Sequence, residues 1–308
     1  MEKRYFDFNT YLRSLFGCRV QKISLDAGLS CPNRDGTLSK EGCIYCNAKG
    51  SGTGAHSRGL SISEQLENGK TILSRRYKAE RFIAYFQSFT NTYATVKTLK
   101  ALYEEALAIK DVVGLSIGTR PDCITEPVLD LLQAYAEKYL IWIEYGLQSV
   151  HDRSLLLINR KHDFHSFEAA VAATRNRGIK ICAHVILGLP QEEKKHMLET
   201  AKTIAAMEID GVKLHLLYVV KGTRLEKMYE RGEYRTLGQQ EYVDLVCDFL
   251  EHLPKDMVIQ RLTGDPHPDE LAAPIWSLDK NRTLALIQER LAKRNTWQGR
   301  LAPGSIDA

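Results

Sequence analysis

The 308-residue sequence lacks several features that would place it in a special class of protein. No uncharged apolar run approaches the roughly 20 residues that span a bilayer, and the best run, 214–220, is flanked by lysines. The start of the chain contains acidic residues but no continuous apolar stretch or small-residue cleavage site, so we expect no secretory signal. Low-complexity and collagen-like compositions are also absent. These absences predict a folded, cytoplasmic protein without a membrane partner.

The chain has only seven cysteines, an odd number. So few cysteines in so long a chain do not indicate a disulfide scaffold. We therefore expect a reducing compartment, in which clustered cysteines indicate a metal site or catalysis. The net charge of +4 is small but unevenly distributed, since residues 1–100 contain 16 Lys and Arg against 8 Asp and Glu. This basic excess favours a polyanionic partner such as RNA. Ordinary solvated helix faces are the alternative explanation.

Short apolar, β-branched runs alternate with helical patterns along most of the chain. The runs predict strands at 22–25, 81–86, 112–117, 140–144, 179–186 and 211–219. Apolar residues at i, i+3, i+4 spacing predict helices between them at 96–109, 128–138, 167–177 and 197–207. Six strand–helix units with strands apolar on both faces predict an α/β fold, a partial (β/α)6 TIM-like barrel over residues 1–220. A doubly wound sheet is the alternative.

The pattern changes after residue 220. Helical spacing returns at 241–252 and 281–294, and a short strand is predicted near 257–262, before a proline-rich loop at 264–275. Residues 221–308 are therefore predicted to form a C-terminal α+β extension that packs on the barrel.

The loop after the first predicted strand carries the clearest chemical signal. Its sequence, SCPNRDGTLSKEGCIYCN, places Cys31, Cys43 and Cys46 in the pattern C-x11-C-x2-C. Barrel enzymes keep their active sites on the loops at the C-terminal ends of strands. Three thiolates suit a four-iron, four-sulfur cluster with one iron left open. A structural zinc ion would need a fourth ligand, for which only His56 lies nearby.

The sequence also resembles a known family over nearly its whole length. The matching segments are SCPNRDGT…GCIYC, YFQSFTNTY, GLSIGTRPDC, EYGLQS, INRKHDF, HVILGLP and GVKLHLLYVVKGT. They are similar to the radical S-adenosylmethionine (radical SAM) enzymes, in the branch shared by the YhcC/YtqA-type proteins and the catalytic subunit of Elongator. The resemblance implies a radical SAM barrel in which the three cysteines hold a [4Fe-4S] cluster. The open iron would bind S-adenosyl-L-methionine (SAM), whose reductive cleavage yields a 5′-deoxyadenosyl radical.

The resemblance further implies which residues bind SAM. Tyr45 corresponds to an aromatic residue that family members place against the adenine. Gln87 and Thr90 stand where other members carry a Gly-Gly-Glu segment, and the acidic residue is missing here. These two side chains would then take over its hydrogen bonds to the methionyl amino group. His184 and Gly188, in HVILGLP, would support the adenine.

A carboxylate in the fourth predicted strand needs a polar partner. Glu144 and Gln148, in EYGLQS, occupy the place where the family binds the ribose and the methionyl group of SAM. Glu144 follows the apolar run LIWI, and an unpaired buried carboxylate is costly. A ligand group would supply the partner, and a salt bridge with Arg120 is the alternative. Arg120 could also pair with Asp122 instead.

Cationic side chains near the strand ends are the candidate contacts to substrate. Lys213 and His215 alternate to one face of the sixth predicted strand, with Tyr218 on the opposite face. Lys213 inside a barrel would be costly unless it binds an anion. The candidate substrate residues are Arg120, Lys213, His215, Lys221, Arg75 and Arg76.

The resemblance to the Elongator branch implies that the substrate is tRNA. The expected reaction removes a hydrogen atom at the wobble uridine side chain and converts a carboxymethylaminomethyl group to aminomethyl. An electron donor such as flavodoxin or ferredoxin would be a second partner. Two alternatives remain: a radical SAM enzyme for a small metabolite or a protein, and a non-enzymatic zinc or iron–sulfur RNA-binding module.

Overall fold

The computed structural model describes residues 3–47, 50 and 54–302. Residues 1–2 of the predicted barrel segment and residues 303–308 of the predicted extension lie outside the described residues. In chain order the strands are β1 Val20–Leu25, β2 Arg81–Phe86, β3 Val112–Thr119, β4 Leu140–Gln148, β5 Lys180–Leu187, β6 Gly211–Leu216, β7 Val219–Val220, β8 Val258–Arg261 and β9 Leu271–Ala273. Strands β1 to β6 and then β8 pair in parallel, in that order, as one seven-stranded sheet that curls into a half-barrel. The α/β barrel prediction is confirmed.

Helices follow most strands and cover the outer face of the sheet. They are α1 Phe8–Phe16, α2 Ile62–Tyr77, α3 Val96–Leu107, α4 Glu126–Ala136, α5 Asp152–Leu157, α6 Phe164–Thr174, α7 Lys194–Ala206, α8 Arg224–Glu230, α9 Gln239–His252 and α10 Lys280–Lys293. Apolar side chains on the outer strand face and on these helices form one large core. None of the described helices is both long and apolar enough to cross a membrane.

Local signals fix several helix boundaries. Thr125 is the N-cap of α4, and a proline occupies its first turn. Asn176 and Gly178 both adopt positive φ just after α6, which returns the chain to β5. A capping box between Ser61 and Glu64 begins α2. Short polar residues, proline and glycine therefore lie at these helix ends.

Aromatic side chains close the barrel at the N-terminal ends of its strands. Trp142 of β4 is fully buried and contacts Phe8 and Tyr11 of α1 edge to face, at ring distances of 5.8 and 5.7 Å. Such edge-to-face pairs add to the free energy gained by burial. The opposite ends of the strands remain available for a site.

Two predictions about the end of the sheet need correction. The sheet has seven strands rather than six, because β8, which was assigned to the extension, pairs with β6. The predicted strand 211–219 is interrupted after Leu216, and Val219–Val220 pairs antiparallel with Leu271–Ala273 in a separate two-stranded sheet. The boundary predicted after residue 220 therefore separates β8 from the other six strands of the same sheet.

Candidate active site

A cavity of about 340 Å³ lies at the C-terminal ends of the parallel strands. The cysteine loop after β1 forms one wall, and the ends of β2 to β6 form the floor. The segment after β8, which includes Asp265, His267 and Glu270, forms the opposite wall. This is the edge at which α/β barrels carry their sites, and the volume suits a small-molecule ligand.

All three cysteines of the motif line this cavity. The backbone N–H groups of Arg34 and Asp35 donate to the carbonyl of Cys31 at 2.8 and 3.1 Å, which makes a tight turn after the first cysteine. The N–H of Cys46 donates to the carbonyl of Cys43 at 3.1 Å. These turns bring residues 12 and 15 positions apart in the sequence to one surface.

The sulfur of Cys43 lies in a cationic environment. Asn33 Nδ2 and Arg160 Nη1 lie 3.5 and 3.6 Å from Cys43 Sγ and donate to it. Burial raises the pKa of this thiol, but the charges of Arg160 and Arg120 outweigh burial and the pKa is lowered. Burial, followed by the negative charge of Cys43, raises the pKa of Cys46 to about 11. Cys43 is therefore held as a thiolate more readily than Cys46.

The base of the cavity, inside the barrel, contains a buried ionic network centred on Glu144. Its carboxylate accepts hydrogen bonds from Lys22, Ser116, His184 and Lys213, with His184 Nε2 at 2.6 Å and Lys213 Nζ at 2.9 Å. Burial raises the pKa of Glu144, but the ammonium groups of Lys213 and Lys22 overcome this effect and hold the pKa well below its usual range. The side chain is therefore a buried carboxylate paired with two cations.

The chain shows clear similarity to known proteins. Residues 36–204 match the Radical SAM superfamily, and residues 209–293 match the Radical_SAM C-terminal domain. The uncharacterized protein YtqA of Bacillus subtilis is 45% identical over 97% of this chain and 93% of its own length. The chain belongs to the radical SAM superfamily.

Two further likenesses are more distant. A tRNA uridine(34) acetyltransferase of Methanocaldococcus infernus is 28% identical over 53% of this chain, a match that spans 31% of that protein. The solved structure of archaeal M. infernus Elp3 with an N-terminal deletion has a TM-score of 0.67 at 17% identity and covers 91% of this chain and 64% of that one. The second likeness shows that the fold is shared.

Radical SAM proteins use a [4Fe-4S] cluster and SAM, and the residues of this cavity fit both groups. Three thiols on one wall match a cluster held through three of its irons, and N–H donors to a ligand sulfur are a common feature of such sites. Thr90 Oγ1 is buried without a partner in the described structure, so a bound ligand would satisfy it. No three described His, Cys, Asp or Glu side chains form a site for a single metal ion, and His56 instead packs over Gly28.

Most of the predicted SAM-binding residues do line the radical SAM cavity. Those that do are Tyr45, Gln87, Thr90, Glu144, Gln148 and His184. Gly188 is not among the lining residues, because its carbonyl accepts from Tyr234 Oη at 2.9 Å and its N–H donates to Met197 Sδ at 3.2 Å. Their contacts to SAM remain predictions.

Arg120 pairs with Asp122 and not with Glu144, so the alternative of a Glu144–Arg120 salt bridge is wrong. Arg120 is buried and donates to Asp122 from Nε at 2.9 Å and from Nη2 at 2.7 Å, which confirms the pairing that the sequence also allowed. Its Nη1 donates to the carbonyl of Arg160 at 2.8 Å. The anion that Lys213 requires is the carboxylate of Glu144, which β4 supplies from the protein itself.

The candidate substrate residues divide into two groups. Arg120, Lys213 and His215 line the cavity, whereas Lys221 is exposed and donates to the carbonyl of Asp269 at 3.1 Å. Tyr218 also lines the cavity, because β6 ends before it and the strand alternation stops. Its ring lies 5.1 Å from that of His215, so its placement on the opposite face was wrong.

Arg75 and Arg76 lie away from the cavity, in the last turn of α2. The guanidinium of Arg19, just before β1, contacts Tyr77 at the end of this helix, and Glu80 N–H donates to Arg19 carbonyl. This end of α2 is therefore beside the N-terminal ends of the strands, opposite the cysteine loop. Arg75 and Arg76 therefore do not lie at the cavity, where we expected them as substrate contacts.

Sequence reasoning missed four polar residues that shape the site. Lys22, Asn33, Arg160 and Arg261 either line the cavity or contact residues that do. A lysine within the apolar run KISL and an arginine within INRKHDF were the available signals. Neither signal reveals a partner, because Lys22 and Glu144 are 122 positions apart.

Proposed function

We propose that this radical SAM enzyme modifies the side chain of the wobble uridine in tRNA, converting a carboxymethylaminomethyl group to aminomethyl. The observation that carries the proposal is the cavity itself, with three cysteines on one wall and cationic side chains on the others. Its volume of about 340 Å³ admits a single nucleoside rather than a duplex. Enzymes that act on a base take it out of the stack or act on a single strand, and the anticodon loop presents the wobble base in that form.

A distant relative supports uridine as the target. The tRNA uridine(34) acetyltransferase named above shares a segment of 171 residues with this chain. That shared segment covers 53% of the chain, and the remaining two thirds of the relative have no counterpart in the match. We therefore propose the same type of substrate but not the acetyl transfer.

The residues of the chain have distinct parts in this proposal. Cys31, Cys43 and Cys46 hold the cluster, while Asn33 and Arg160 keep the Cys43 sulfur in place. When both are bound, the cluster and SAM would supply a 5′-deoxyadenosyl radical that removes a hydrogen atom from the carbon between the carboxylate and the nitrogen of the substrate side chain. Loss of one further electron to the oxidised cluster would leave an imine. Hydrolysis of the imine by water would then break the C–N bond, release the two carbons as glyoxylate and leave the aminomethyl group. The aromatic side chains that close the barrel floor exclude water from below the site.

The cluster requires an electron from outside the chain, and we propose a flavodoxin or a ferredoxin as its source. A reduced donor of either class can be replaced by a chemical reductant in a test. The activity with a chemical reductant then reports on the reaction in the cavity alone, and the activity with flavodoxin or ferredoxin reports on the electron donor.

Nucleoside analysis of cellular tRNA tests the proposed function. A strain that lacks the gene should accumulate carboxymethylaminomethyluridine at the wobble position, as measured by mass spectrometry of digested tRNA. The wild-type gene should restore the aminomethyl product, and the Cys43→Ala variant should not. Unchanged nucleosides together with SAM cleavage by the purified protein would instead indicate a small-metabolite or protein substrate. Protein that carries stoichiometric zinc and no iron would support the non-enzymatic RNA-binding module.

A further inference from the structure

One cation in the cavity has no hydrogen-bond or ion-pair partner among the described residues. Arg261 is the last residue of β8, is half-buried and lines the cavity wall. Its Nε atom is fully buried, and its N–H donates to no hydrogen-bond acceptor among the described residues. Across residues 3–47, 50 and 54–302, its side chain forms neither a hydrogen bond nor an ion pair. This guanidinium differs from Arg120 and Arg160, which are both hydrogen-bonded within the protein.

The carboxylates that line the same cavity are already engaged. Glu144 is bound by two lysines, Asp265 accepts from Lys280 Nζ at 2.9 Å, and Glu270 accepts from Asn47 Nδ2 at 3.0 Å. The charge of Arg261 is therefore not cancelled locally. The positive charge of Arg261 also affects His215. Burial lowers the pKa of His215 most, and the charge of Arg261 lowers it next.

A half-buried guanidinium without an acceptor loses hydrogen bonds to water, and no protein group replaces them. A planar carboxylate would replace them, because its two oxygens match the fork of N–H donors on arginine. Arg261 lines the same cavity as the three cysteines. An anionic group on the substrate is thus the ligand that this position requires.

We propose that Arg261 binds the carboxylate of the substrate side chain and so selects carboxymethylaminomethyluridine over uridines without the acidic group. This inference rests on the proposed function, because it assigns the recognised group within that substrate. Arg261 would then determine specificity, while the cysteines support the chemistry. Gly264 lies next to this wall, where a larger residue would collide with the side chains of Tyr218 and His215.

A first experiment examines the anion site without tRNA or turnover. The Nε–H signal of Arg261 in a ¹H–¹⁵N NMR spectrum can be assigned by its loss in the Arg261→Lys variant. Titration of the wild-type protein with sodium acetate should shift this signal saturably, whereas matched sodium chloride should not. A signal that acetate leaves in place would overturn the anion site, whatever the substrate proves to be.

A second experiment identifies the source of the carboxylate. Binding of tRNA that carries carboxymethylaminomethyluridine is compared with binding of tRNA that carries aminomethyluridine, for wild-type, Arg261→Gln and Arg235→Gln proteins. Arg235 is an exposed surface arginine paired with Glu241, so its variant removes one cation elsewhere. Wild-type and Arg235→Gln proteins should prefer the carboxylated tRNA by on the order of tenfold or more, and Arg261→Gln should lose the preference.

Other outcomes separate the competing anions. Equal weakening of both tRNAs in Arg261→Gln, with a shallower salt dependence, would assign Arg261 to a phosphate and overturn the proposal. A loss of SAM affinity in equilibrium dialysis would assign it to the carboxylate of SAM and overturn it as well. If wild-type protein binds neither tRNA while acetate still shifts the Arg261 signal, the proposed function fails and the anion site stands.

Discussion

At the level of single residues, Glu144 connects most of the half-barrel. Its carboxylate on β4 accepts from Lys22 on β1, Ser116 on β3, His184 on β5 and Lys213 on β6. Removing one partner of a buried ion pair leaves the other charge buried without a counterion, which strongly destabilises the folded protein. The network therefore fixes the relative positions of strands whose ends form the cavity.

The Glu144→Gln variant should be strongly destabilised. We expect a loss of about 3–5 kcal/mol in the free energy of unfolding at neutral pH, measured by urea denaturation, because the buried Lys213 and the partly buried Lys22 lose their counterion. The exposed Glu168→Gln substitution is the control and should change stability by less than about 0.5 kcal/mol.

The same pair of proteins gives a pH test. The pKa of Glu144 in the folded protein lies well below its usual value of 4.5, so its contribution is complete above about pH 4.5. That contribution is lost as the pH falls from there toward the folded-state pKa. The stability difference between wild-type and Glu144→Gln should shrink below pH 4.5, and a difference that grew on acidification would contradict the assignment.

Asn159 fixes the cysteine loop from the segment before α6. Its Nδ2 donates to the carbonyl of Gly42 at 2.7 Å, and its own carbonyl accepts from Asn33 Nδ2 at 2.7 Å. The neighbouring carbonyl of Ile158 accepts from the N–H of Ile44 at 3.1 Å. These bonds flank Cys43 on both sides, so they determine where its sulfur lies.

Replacing Asn159 by glycine should reduce cluster assembly. Asn159 has a φ of 56°, which glycine adopts readily, so this change removes the side-chain hydrogen bond without backbone strain. We expect iron and sulfide content after anaerobic reconstitution to fall at least twofold. Asn176→Gly is the matched control, because Asn176 is exposed and has a φ of 63°. Equal iron content in both variants would argue against the positioning role.

At the level of elements, β8 completes the sheet and carries Arg261. It pairs with β6 and lies beside α1, although it comes from the segment predicted to be an extension. Ile259 at its centre is 2% exposed and belongs to the main core. The extension is thus a structural part of the half-barrel that carries the site.

Shortening the side chain of Ile259 to alanine should test this integration. We expect a destabilisation of about 2–5 kcal/mol in one cooperative urea transition, since a buried side chain leaves a cavity in the shared core. Ile72→Ala on α2 is the control, because Ile72 is 61% exposed. Two separate transitions in the Ile259→Ala protein would show that the segment folds on its own.

The predictable elements were those with a strong local pattern. The strand at 81–86 was predicted to the residue, because RFIAYF is buried along nearly its whole length and bounded by polar residues. The break after Leu216 was missed, because Val219–Val220 takes its partner from Leu271–Ala273 far along the chain. The four residues of β8 were identified as a strand, but a short strand does not reveal its neighbour.

The site was predictable in the same uneven way. Spacing alone marked Cys31, Cys43 and Cys46, because nearby ligands leave a local trace in the sequence. Pairing of Glu144 with Lys22 and Lys213 depends on strand order and register, which sequence patterns do not contain. Glu144 and Lys213 are partners of each other, so neither side chain needs a ligand to avoid an unpaired buried charge.

At the level of the whole molecule, the basic excess of residues 1–100 is only partly at the cavity, which Arg34 lines. Arg75 and Arg76 lie at the opposite ends of the strands, so a tRNA whose wobble base enters the cavity should not depend on them. The Arg75→Glu, Arg76→Glu double variant should bind tRNA within about twofold of wild type in filter-binding assays at several salt concentrations. A loss of more than tenfold, with a reduced salt slope, would place tRNA on that face instead.

Turnover by the purified protein tests the central claim most directly. Anaerobically reconstituted enzyme is incubated with SAM, a chemical reductant and tRNA from the strain that lacks the gene, and both products are quantified by mass spectrometry. The account predicts 5′-deoxyadenosine together with aminomethyluridine at the wobble position, and neither product from the Cys43→Ala variant. Formation of 5′-deoxyadenosine without any change in the tRNA nucleosides would contradict it.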